Sequence, residues 1–213
     1  MATDVVLLGP PGAGKGTQGE RIAAALGVPK IATGDVLRAA VREKTPLGCE
    51  AKAAMERGDL VPDDVILGIM KETLAAPAAA GGSILDGVVR TEPQAEGLAR
   101  VLGELGRSVT AVLLFEVADD ELVRRLGGRT VCDGCQTPYT GREPGETCEK
   151  CGGTLVRRKD DEPEAIRNRL EVYERQTAPV LQWYRAHGTR VAVIDAVGSV
   201  QDVTARALGA LAS

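Results

Sequence analysis

A glycine-rich loop directly after the first apolar segment is the feature that most constrains how this chain can fold. The run DVVLLG, residues 4–9, is apolar almost throughout, as in a strand buried on both faces of a parallel sheet. The sequence GPPGAGKGT covers residues 9–17, and a helical pattern follows from about Lys15 to Leu26. In this context glycines let backbone N–H groups surround phosphate oxygens, the helix N-terminus adds positive potential, and Lys15 reaches the outer phosphates. We therefore interpret the segment as a phosphate-binding loop rather than a glycine-rich turn with a surface lysine.

Strand-like apolar runs alternate with helix-like segments along most of the chain. Further runs of this kind occupy residues 83–85, 109–117 and 190–194, each beside a segment rich in Ala, Leu, Glu and Arg. This alternation predicts an α/β fold with a parallel sheet flanked by helices.

Several helices are predicted between and after these runs. They cover residues 35–57, residues 63–74, a long stretch towards Ala186 that Pro179 kinks, and a last helix that Ser199 caps and that ends near Leu211. Asp161 and Glu164 resemble a capping pair at the start of the long helix. Cys49 lies among small apolar residues of the first helix and is expected to be buried.

Composition restricts the classes of protein to which the chain can belong. Its 213 residues can bury the core of one domain that carries small insertions. Lys and Arg number 26 against 30 Asp and Glu, a net charge of −4, which argues against nucleic-acid binding through a basic surface. No apolar run approaches the roughly 18 residues of a membrane helix, and the N-terminus lacks a secretory pattern. We therefore expect a cytoplasmic protein with no membrane partner.

Four of the five cysteines, Cys132, Cys135, Cys148 and Cys151, form two Cys-x2-Cys pairs separated by twelve residues. In a reducing compartment this spacing favours a metal site over two disulfides, and Zn²⁺ suits four thiolates best. Four thiolates leave no open position for water, so we expect a structural metal. The surrounding residues 129–159 have no extended periodicity and are interpreted as a small metal-stapled insertion. A zinc knuckle for nucleic acid is the alternative, which the acidic residues around the cysteines weaken.

Charged residues near the ends of segments complete the candidate site. Asp86 ends an apolar strand, where enzymes with a phosphate-binding loop hold an acidic residue near Mg²⁺. Arginines that converge on a phosphate chain could stabilise its charge without a general base. The candidates are Arg38, Arg90, Arg125, Arg129, Arg158 and Arg169. Each arginine alone is more often a solvated surface residue, so only geometry or a family pattern can select them.

The order of these motifs resembles that of one enzyme family. The phosphate-binding loop, TGDVLRAA at residues 33–40, DGVVR at residues 86–90, the cysteine pairs and RNRLEVYERQTAP at residues 167–179 together resemble bacterial adenylate kinases of the long type, with a zinc-binding lid. The resemblance covers nearly the whole chain. It implies reversible, Mg²⁺-dependent phosphoryl transfer, ATP + AMP = 2 ADP, by a cytoplasmic monomer. It also implies a core domain of residues 1–32, 62–128 and 160–213, a monophosphate-binding domain of residues 33–61, and a lid of residues 129–159 that closes over ATP.

The resemblance also implies roles for individual residues. ATP would contact Gly12, Ala13, Gly14, Lys15, Gly16, Thr17, Arg125, Arg129, Pro138, Tyr139 and Gly198. AMP would contact Thr33, Arg38, Asp59, Leu60, Val61, Gly87, Arg90, Gln94, Arg158 and Arg169. The catalytic residues would be Lys15, Arg90, Arg125, Arg158 and Arg169, with Asp86 near Mg²⁺ and the four paired cysteines around a structural Zn²⁺.

Three departures from the family pattern bear on these roles. Val88 and Val89 replace the usual Phe-Pro, and because proline fixes the backbone, the change concerns the position of Arg90 and the affinity for AMP. Pro138 precedes Tyr139 where a hydroxyl residue is frequent, and the loop between the cysteine pairs is short. A kinase for another nucleoside monophosphate is therefore one alternative. From a different class, the alternative is a nucleotide sensor with a phosphate-binding loop and a zinc interaction module.

Overall fold

A parallel sheet forms the centre of the protein in the computed structural model, which describes residues 2–212. Within this range the strands are β1 (Thr3–Leu8), β2 (Lys30–Ala32), β3 (Gly82–Asp86), β4 (Val109–Glu116), β5 (Arg129–Cys132), β6 (Pro138–Thr140), β7 (Leu155–Val156) and β8 (Val191–Asp195). The central sheet is parallel throughout and has the order β2-β3-β1-β4-β8. The predicted α/β fold is confirmed.

Helices cover both faces of this sheet. They are α1 (Lys15–Leu26), α2 (Thr33–Glu43), α3 (Pro46–Arg57), α4 (Asp63–Ala75), α5 (Glu92–Glu104), α6 (Asp119–Gly127), α7 (Pro163–Val172), α8 (Val180–Ala186) and α9 (Val200–Ala212). Along β1, Val6 and Leu8 pack in a cluster with α4, α5 and α8, whereas Val5 and Leu7 pack in a cluster with α1 and α9. Burial on both faces explains the continuous apolar run. Ser199 caps α9 as predicted, its Oγ accepting the N–H three residues on at 3.1 Å.

The single helix predicted over residues 35–57 is wrong, because the chain turns between α2 and α3. Lys44 ends α2 with a left-handed φ of 54°, and Thr45 caps α3 by accepting the N–H of Gly48 at 3.1 Å. A Cβ on Gly48 would lie 2.1 Å from a backbone oxygen of α2, so the two helices pack as a tight pair. Cys49 on α3 is exposed, and the expectation that it is buried is also wrong.

The predicted kink in the long helix is a π-helical turn that precedes Pro179. The turn spans Tyr173–Thr177, and the N–H of Ala178 donates to the carbonyl of the first of these residues at 2.9 Å. Proline has no N–H, and its ring clashes with the carbonyl four residues earlier in a regular helix. A widened turn before the proline avoids both problems, so the helical path continues into α8.

Asp161 and Glu164 do not cap α7, in contrast to the prediction. The cap position is Glu162, and its side chain makes no capping hydrogen bond. The Asp161 carboxylate is instead hydrogen-bonded to the guanidinium groups of Arg129 and Arg169. An arginine pair within reach is a stronger partner for a carboxylate than a backbone N–H.

The segment predicted to lack regular structure contains a second, antiparallel sheet. Its order is β6-β5-β7, and its strands are two to four residues long. An alternation of apolar and polar residues cannot be recognised over so few positions, and the three-residue β2 was missed for the same reason. Cys132, Cys148 and Leu155 form the buried cluster of this lobe. So small an apolar core needs further stabilisation, such as a bound metal.

Candidate active site

The loop between β1 and α1 has the geometry of an anion-binding loop. Gly9, Gly12 and Gly14 have φ angles of 139°, 88° and 88°, which residues with side chains rarely adopt. A Cβ on Gly9 would lie 2.5 Å from the carbonyl oxygen of Phe115, so glycine also lets the loop pass β4. No side chain caps the start of α1, and its first turn holds no acidic residue. Its free N–H groups therefore remain available to an anion.

Lys15 is held against the loop by backbone oxygens. Its ammonium group donates hydrogen bonds to the carbonyls of Gly9 at 2.6 Å and Pro10 at 2.9 Å. Burial lowers the pKa of Lys15 to about 8, the charge of Asp86 opposes this, and the charge of Arg90 adds to it. An ammonium group carries three donors, so one remains for a phosphate oxygen.

A cavity of about 460 Å³ lies over this loop. The six arginines singled out from the sequence all line it, namely Arg38, Arg90, Arg125, Arg129, Arg158 and Arg169. So do residues 12–17 of the loop, Asp86, Pro138 and Gly198. The fold thus brings the dispersed cationic candidates together around one space.

Carboxylates hold four of these arginines, and in one of these pairs Arg38 donates to Asp35 at 2.5 Å. Arg129 donates two hydrogen bonds to Asp161, at 2.7 and 2.6 Å, and Arg169 donates one to the same carboxylate at 2.9 Å. Arg125 donates to Glu121 at 2.7 Å. The available signal for Asp161 is the run of two Asp residues between Arg129 and Arg169 in the sequence, although the local pattern predicts that Asp161 caps a helix.

Two of the arginines have a buried Nε–H group without an acceptor. Within residues 2–212, Nε of Arg38 and Nε of Arg158 donate no hydrogen bond, although another nitrogen of Arg38 is paired with Asp35. Burial lowers the pKa of Arg158 to about 9, and the charges of Arg38 and Arg129 lower it further. Buried donors without acceptors cost free energy, and the oxygens of a bound phosphate would remove that cost.

Asp86 stands at the carboxyl end of β3, the edge of a parallel sheet at which α/β proteins bind ligands. Its carboxylate makes no hydrogen bond or ion pair with another described residue. Gly16 faces it, and a Cβ there would lie 3.4 Å from Asp86 Oδ2. An unpaired carboxylate beside a phosphate-binding loop fits the needs of Mg²⁺, which is bound through carboxylates, waters and phosphate oxygens.

A second cavity adjoins the first on the side of α2 and α3. Its lining includes Thr33, Arg38, Asp59, Leu60, Val61, Gly87, Arg90, Gln94 and Arg169. These are the residues assigned to AMP by resemblance, except for Arg158, which lines the larger cavity. Arg38, Arg90 and Arg169 line both cavities and therefore lie between the two spaces.

Gln94 presents an oriented amide to the second cavity. Its Oε1 accepts the N–H of Arg90 at 2.7 Å, and its Nε2 donates to Asp63 Oδ1 at 2.7 Å. A backbone N–H requires an acceptor and a carboxylate requires a donor, so the two partners fix which end of the amide is oxygen. One lone pair and one N–H remain free. The free lone pair can accept a hydrogen bond from the amino group of adenine, and the free N–H can donate one to a ring nitrogen of that base.

The two valines of the DGVVR segment leave Arg90 at the cavities. Both valines are buried in the core, at 0% and 1% exposure. Arg90 is fixed through its N–H to Gln94, through its Nε to the carbonyl of Gly87 at 3.2 Å, and through its carbonyl to the hydroxyl of Thr177 at 2.9 Å. These hydrogen bonds hold the segment without a proline.

The four paired cysteines fit a zinc site. Their sulfur atoms all lie within 4.8 Å of one another. Cys132 Sγ is 3.4 Å from Cys151 Sγ, and Cys135 Sγ is 3.6 Å from Cys148 Sγ. A disulfide would require roughly 2.05 Å. Four thiolates at about 2.3 Å from Zn²⁺ form a tetrahedron with edges of roughly 3.8 Å, which the observed distances approach.

Tyr139 contacts this cysteine cluster and does not line the large cavity. Its hydroxyl lies 3.2 Å from Cys148 Sγ, and this hydrogen bond lowers the pKa of the thiol to about 6. A lowered thiol pKa favours the thiolate, the form that binds a metal.

Comparison with known proteins points to one family. The sequence model of the adenylate kinase family matches residues 7–189. A protein described as adenylate kinase from Gemmatimonas aurantiaca is 69% identical over 209 residues, which are 97% of this chain and 98% of that protein. Proteins with the same description from Salinispora tropica and Syntrophotalea carbinolica are 47% and 46% identical, over 98% and 97% of both chains respectively.

Proposed function

The chain belongs to the adenylate kinase family, and on this premise we propose how its two cavities share the reaction. The activity is that of a phosphotransferase, the reversible conversion of ATP and AMP into two ADP. MgATP occupies the cavity over the phosphate-binding loop, and AMP occupies the adjoining cavity beside α2 and α3. The phosphoryl group moves across the boundary between them.

The observation that carries this proposal is the set of arginines shared by the two cavities. Arg38, Arg90 and Arg169 line both cavities. Arg158 lines the larger cavity, and its buried Nε donor has no hydrogen-bond partner. Phosphoryl transfer spreads negative charge over the oxygens of the moving group while the attacking and leaving oxygens are held in line. Guanidinium groups fixed between the two nucleotides stabilise that charge most strongly in the transition state.

The remaining residues bind and orient the nucleotides. The loop N–H groups and Lys15 hold the outer phosphates of ATP, and Arg38 holds the phosphate of AMP. Gln94 holds the adenine base of AMP through the free ends of its amide. Asp86 would hold Mg²⁺ through water, and the bound ion would neutralise charge on the ATP phosphates.

We assign three domains to the chain and a structural role to zinc. Residues 33–61 form the monophosphate-binding domain, residues 129–159 form the lid, and residues 1–32, 62–128 and 160–213 form the core. Closure of the lid excludes water, which would otherwise accept the phosphoryl group. Zinc would be held by the four cysteines and leaves no open coordination position, so it keeps the lid compact without taking part in the chemistry.

We propose that the protein works as a cytoplasmic monomer whose partners are ATP, AMP and ADP. The paired cysteines lie too far apart for disulfides and suit a metal instead, which favours a reducing compartment. A net charge of −4 disfavours nucleic acid as a partner. None of the helices in residues 2–212 combines the length and the apolar character needed to cross a membrane.

The test is ADP formation from MgATP with AMP, UMP, CMP or GMP offered separately, on protein of known metal content. We expect a kcat/KM for AMP at least about tenfold above the others, because the amide of Gln94 matches adenine. Equal or better turnover of another monophosphate would move the substrate assignment. No turnover with any of the four would contradict the kinase and favour the nucleotide sensor.

A further inference from the structure

Thr177 links the π-helical turn to the segment that carries Arg90. The residue is 7% exposed, and its hydroxyl donates to the carbonyl oxygen of Arg90 at 2.9 Å. That carbonyl lies between β3 and α5, in a segment without regular structure. The hydroxyl of Thr177 therefore supplies a contact that no strand or helix provides.

The use of this hydroxyl is unusual for a threonine in a helical stretch. Such a hydroxyl ordinarily donates to the carbonyl four residues earlier, as Thr73 does to Ile69 at 2.7 Å. The π turn contains an extra residue, which rotates the positions after it relative to α7. As a result the hydroxyl of Thr177 donates to a distant part of the chain, the carbonyl of Arg90.

The surroundings of Thr177 connect it to the transfer site. It lines a small cavity of about 90 Å³ whose wall also includes Lys15, Arg90 and Arg169. α7 carries Arg169 and leads directly into the π turn, so the hydroxyl joins the element that holds one arginine to the loop that holds another. Both arginines line the two nucleotide cavities.

We propose that Thr177 is a positioning residue for Arg90, an inference that rests on the proposed function. Gln94 fixes the backbone N–H of Arg90, and Thr177 fixes its carbonyl. Residue 89 is a valine, so no proline ring restrains the backbone before Arg90. The hydroxyl thus sets the position of the Arg90 guanidinium relative to that of Arg169, and through it the alignment of AMP with the moving phosphoryl group.

The test compares variants that differ in the hydroxyl at this position. Thr177→Val preserves shape and removes the hydroxyl, whereas Thr177→Ser keeps it. Thr177→Ala beside Thr177→Ser repeats the comparison with smaller side chains, in case the valine impairs folding. Thr73→Val is the matched control, because it removes a hydroxyl whose hydrogen bond stays within α4. Steady-state kcat and both KM values are measured for each variant, with thermal unfolding to confirm the folded state.

We expect Thr177→Val and Thr177→Ala to lose about tenfold in kcat/KM for AMP, with KM for MgATP unchanged within about twofold. Thr177→Ser and Thr73→Val should stay within about twofold of the wild type. Wild-type kinetics in both variants without a hydroxyl, or equal losses in the serine and alanine variants, would overturn the proposal. Failure of the wild-type protein to phosphorylate AMP would instead overturn the proposed function, so the two failures are distinguishable.

Discussion

At the residue scale, the environment of Lys15 makes activity and stability respond to pH in opposite directions. Burial lowers the pKa of this lysine from 10.5 to about 8, with Asp86 opposing the shift and Arg90, Arg169 and Arg129 adding to it. Under the proposed function it is the charged ammonium that binds phosphate, so kcat/KM for MgATP is expected to fall about tenfold per pH unit above pH 8. Between about pH 8 and 10.5 the unfolded chain holds the proton that the folded protein has lost. The contribution of Lys15 to the free energy of unfolding therefore rises with pH in that window.

Lys15→Met separates these two effects. It removes the titrating group and is expected to lower kcat by about 10²–10³-fold while preserving the fold. Urea unfolding at several pH values gives the free energy of unfolding of wild type and variant. The difference between the two should change only between about pH 8 and 10.5. A kcat/KM profile for MgATP that stays flat up to pH 10 would refute the lowered pKa of Lys15.

A substitution of Gln94 tests the proposed preference of the protein for adenine. Gln94→Glu keeps the acceptor for the N–H of Arg90 but removes the amide N–H that donates to Asp63 and the free N–H proposed to contact the base. We expect KM for AMP to rise about ten- to a hundredfold. Adding Asp63→Asn places a donor opposite the new carboxylate and removes the repulsion. Full recovery of AMP affinity in the double variant would mean that Gln94 acts on the loop and not on the base.

The role of a residue could be predicted from the sequence where a motif fixes its chemistry. It could not be predicted where the residue's partner is distant along the chain. The glycines and lysine of the loop belong to the first kind. Asp4 belongs to the second, since it is fully buried and accepts hydrogen bonds from Arg107 at 2.9 and 2.5 Å and from Ser83 at 2.7 Å. Nothing in the apolar run indicates these partners. Asp161 was likewise assigned to a cap because local spacing cannot show two arginines brought in by folding.

At the element scale, the predictable parts are those with long runs of one pattern. Continuous apolar runs predicted β1, β3, β4 and β8 close to their observed bounds. The break at Lys44 and Thr45 was missed because it depends on the close approach of two helices at Gly48. The form of the turn before Pro179 was missed because proline indicates a disturbance of a helix but not its geometry.

The antiparallel lobe of β5, β6 and β7 provides the prediction that belongs to this scale. Cys148→Ser removes one thiolate, whereas Cys49→Ser removes an exposed thiol outside the cluster and is the matched control. At free zinc about a hundredfold above its Kd, the loss of the site costs about 2.7 kcal/mol, or roughly 5–10 °C in Tm. Turnover at low temperature should change far less, because four thiolates would leave a bound metal no open coordination position for chemistry.

Two measurements check this expectation: bound zinc per chain, and Tm with and without a chelator. The chelator should lower the Tm of the wild type and of Cys49→Ser, and leave that of Cys148→Ser unchanged. The structural assignment is wrong if turnover disappears in Cys148→Ser while the lobe remains folded, as judged by its resistance to proteolysis.

At the scale of the whole molecule, the helix pair of α2 and α3 is tied to α7, the helix that follows the antiparallel lobe. Asn168 on α7 donates hydrogen bonds from Nδ2 to the carbonyl of Arg57 at 2.9 Å and to Asp59 Oδ1 at 2.8 Å. Its hydrogen bond and that of Arg57 lower the pKa of the Asp59 carboxyl. A Cβ on Gly58 would lie 2.5 Å from Arg169 Cγ, so the segment that follows α3 packs directly against Arg169.

This contact predicts a substrate-specific defect in Asn168→Ala. The variant frees the segment that lines the cavity proposed for AMP, so KM for AMP should rise about three- to tenfold while KM for MgATP stays within about twofold. Lys159→Ala is the matched control, because it breaks a neighbouring ion pair with Glu56 at 3.1 Å. The lysine is 70% exposed, and such surface pairs contribute little, so its KM values should stay within about twofold of the wild type. An equal rise in both KM values for Asn168→Ala would mean that the residue contributes only to general stability. Hydrogen bonds that specifically hold the segment after α3 should affect KM for AMP and not KM for MgATP.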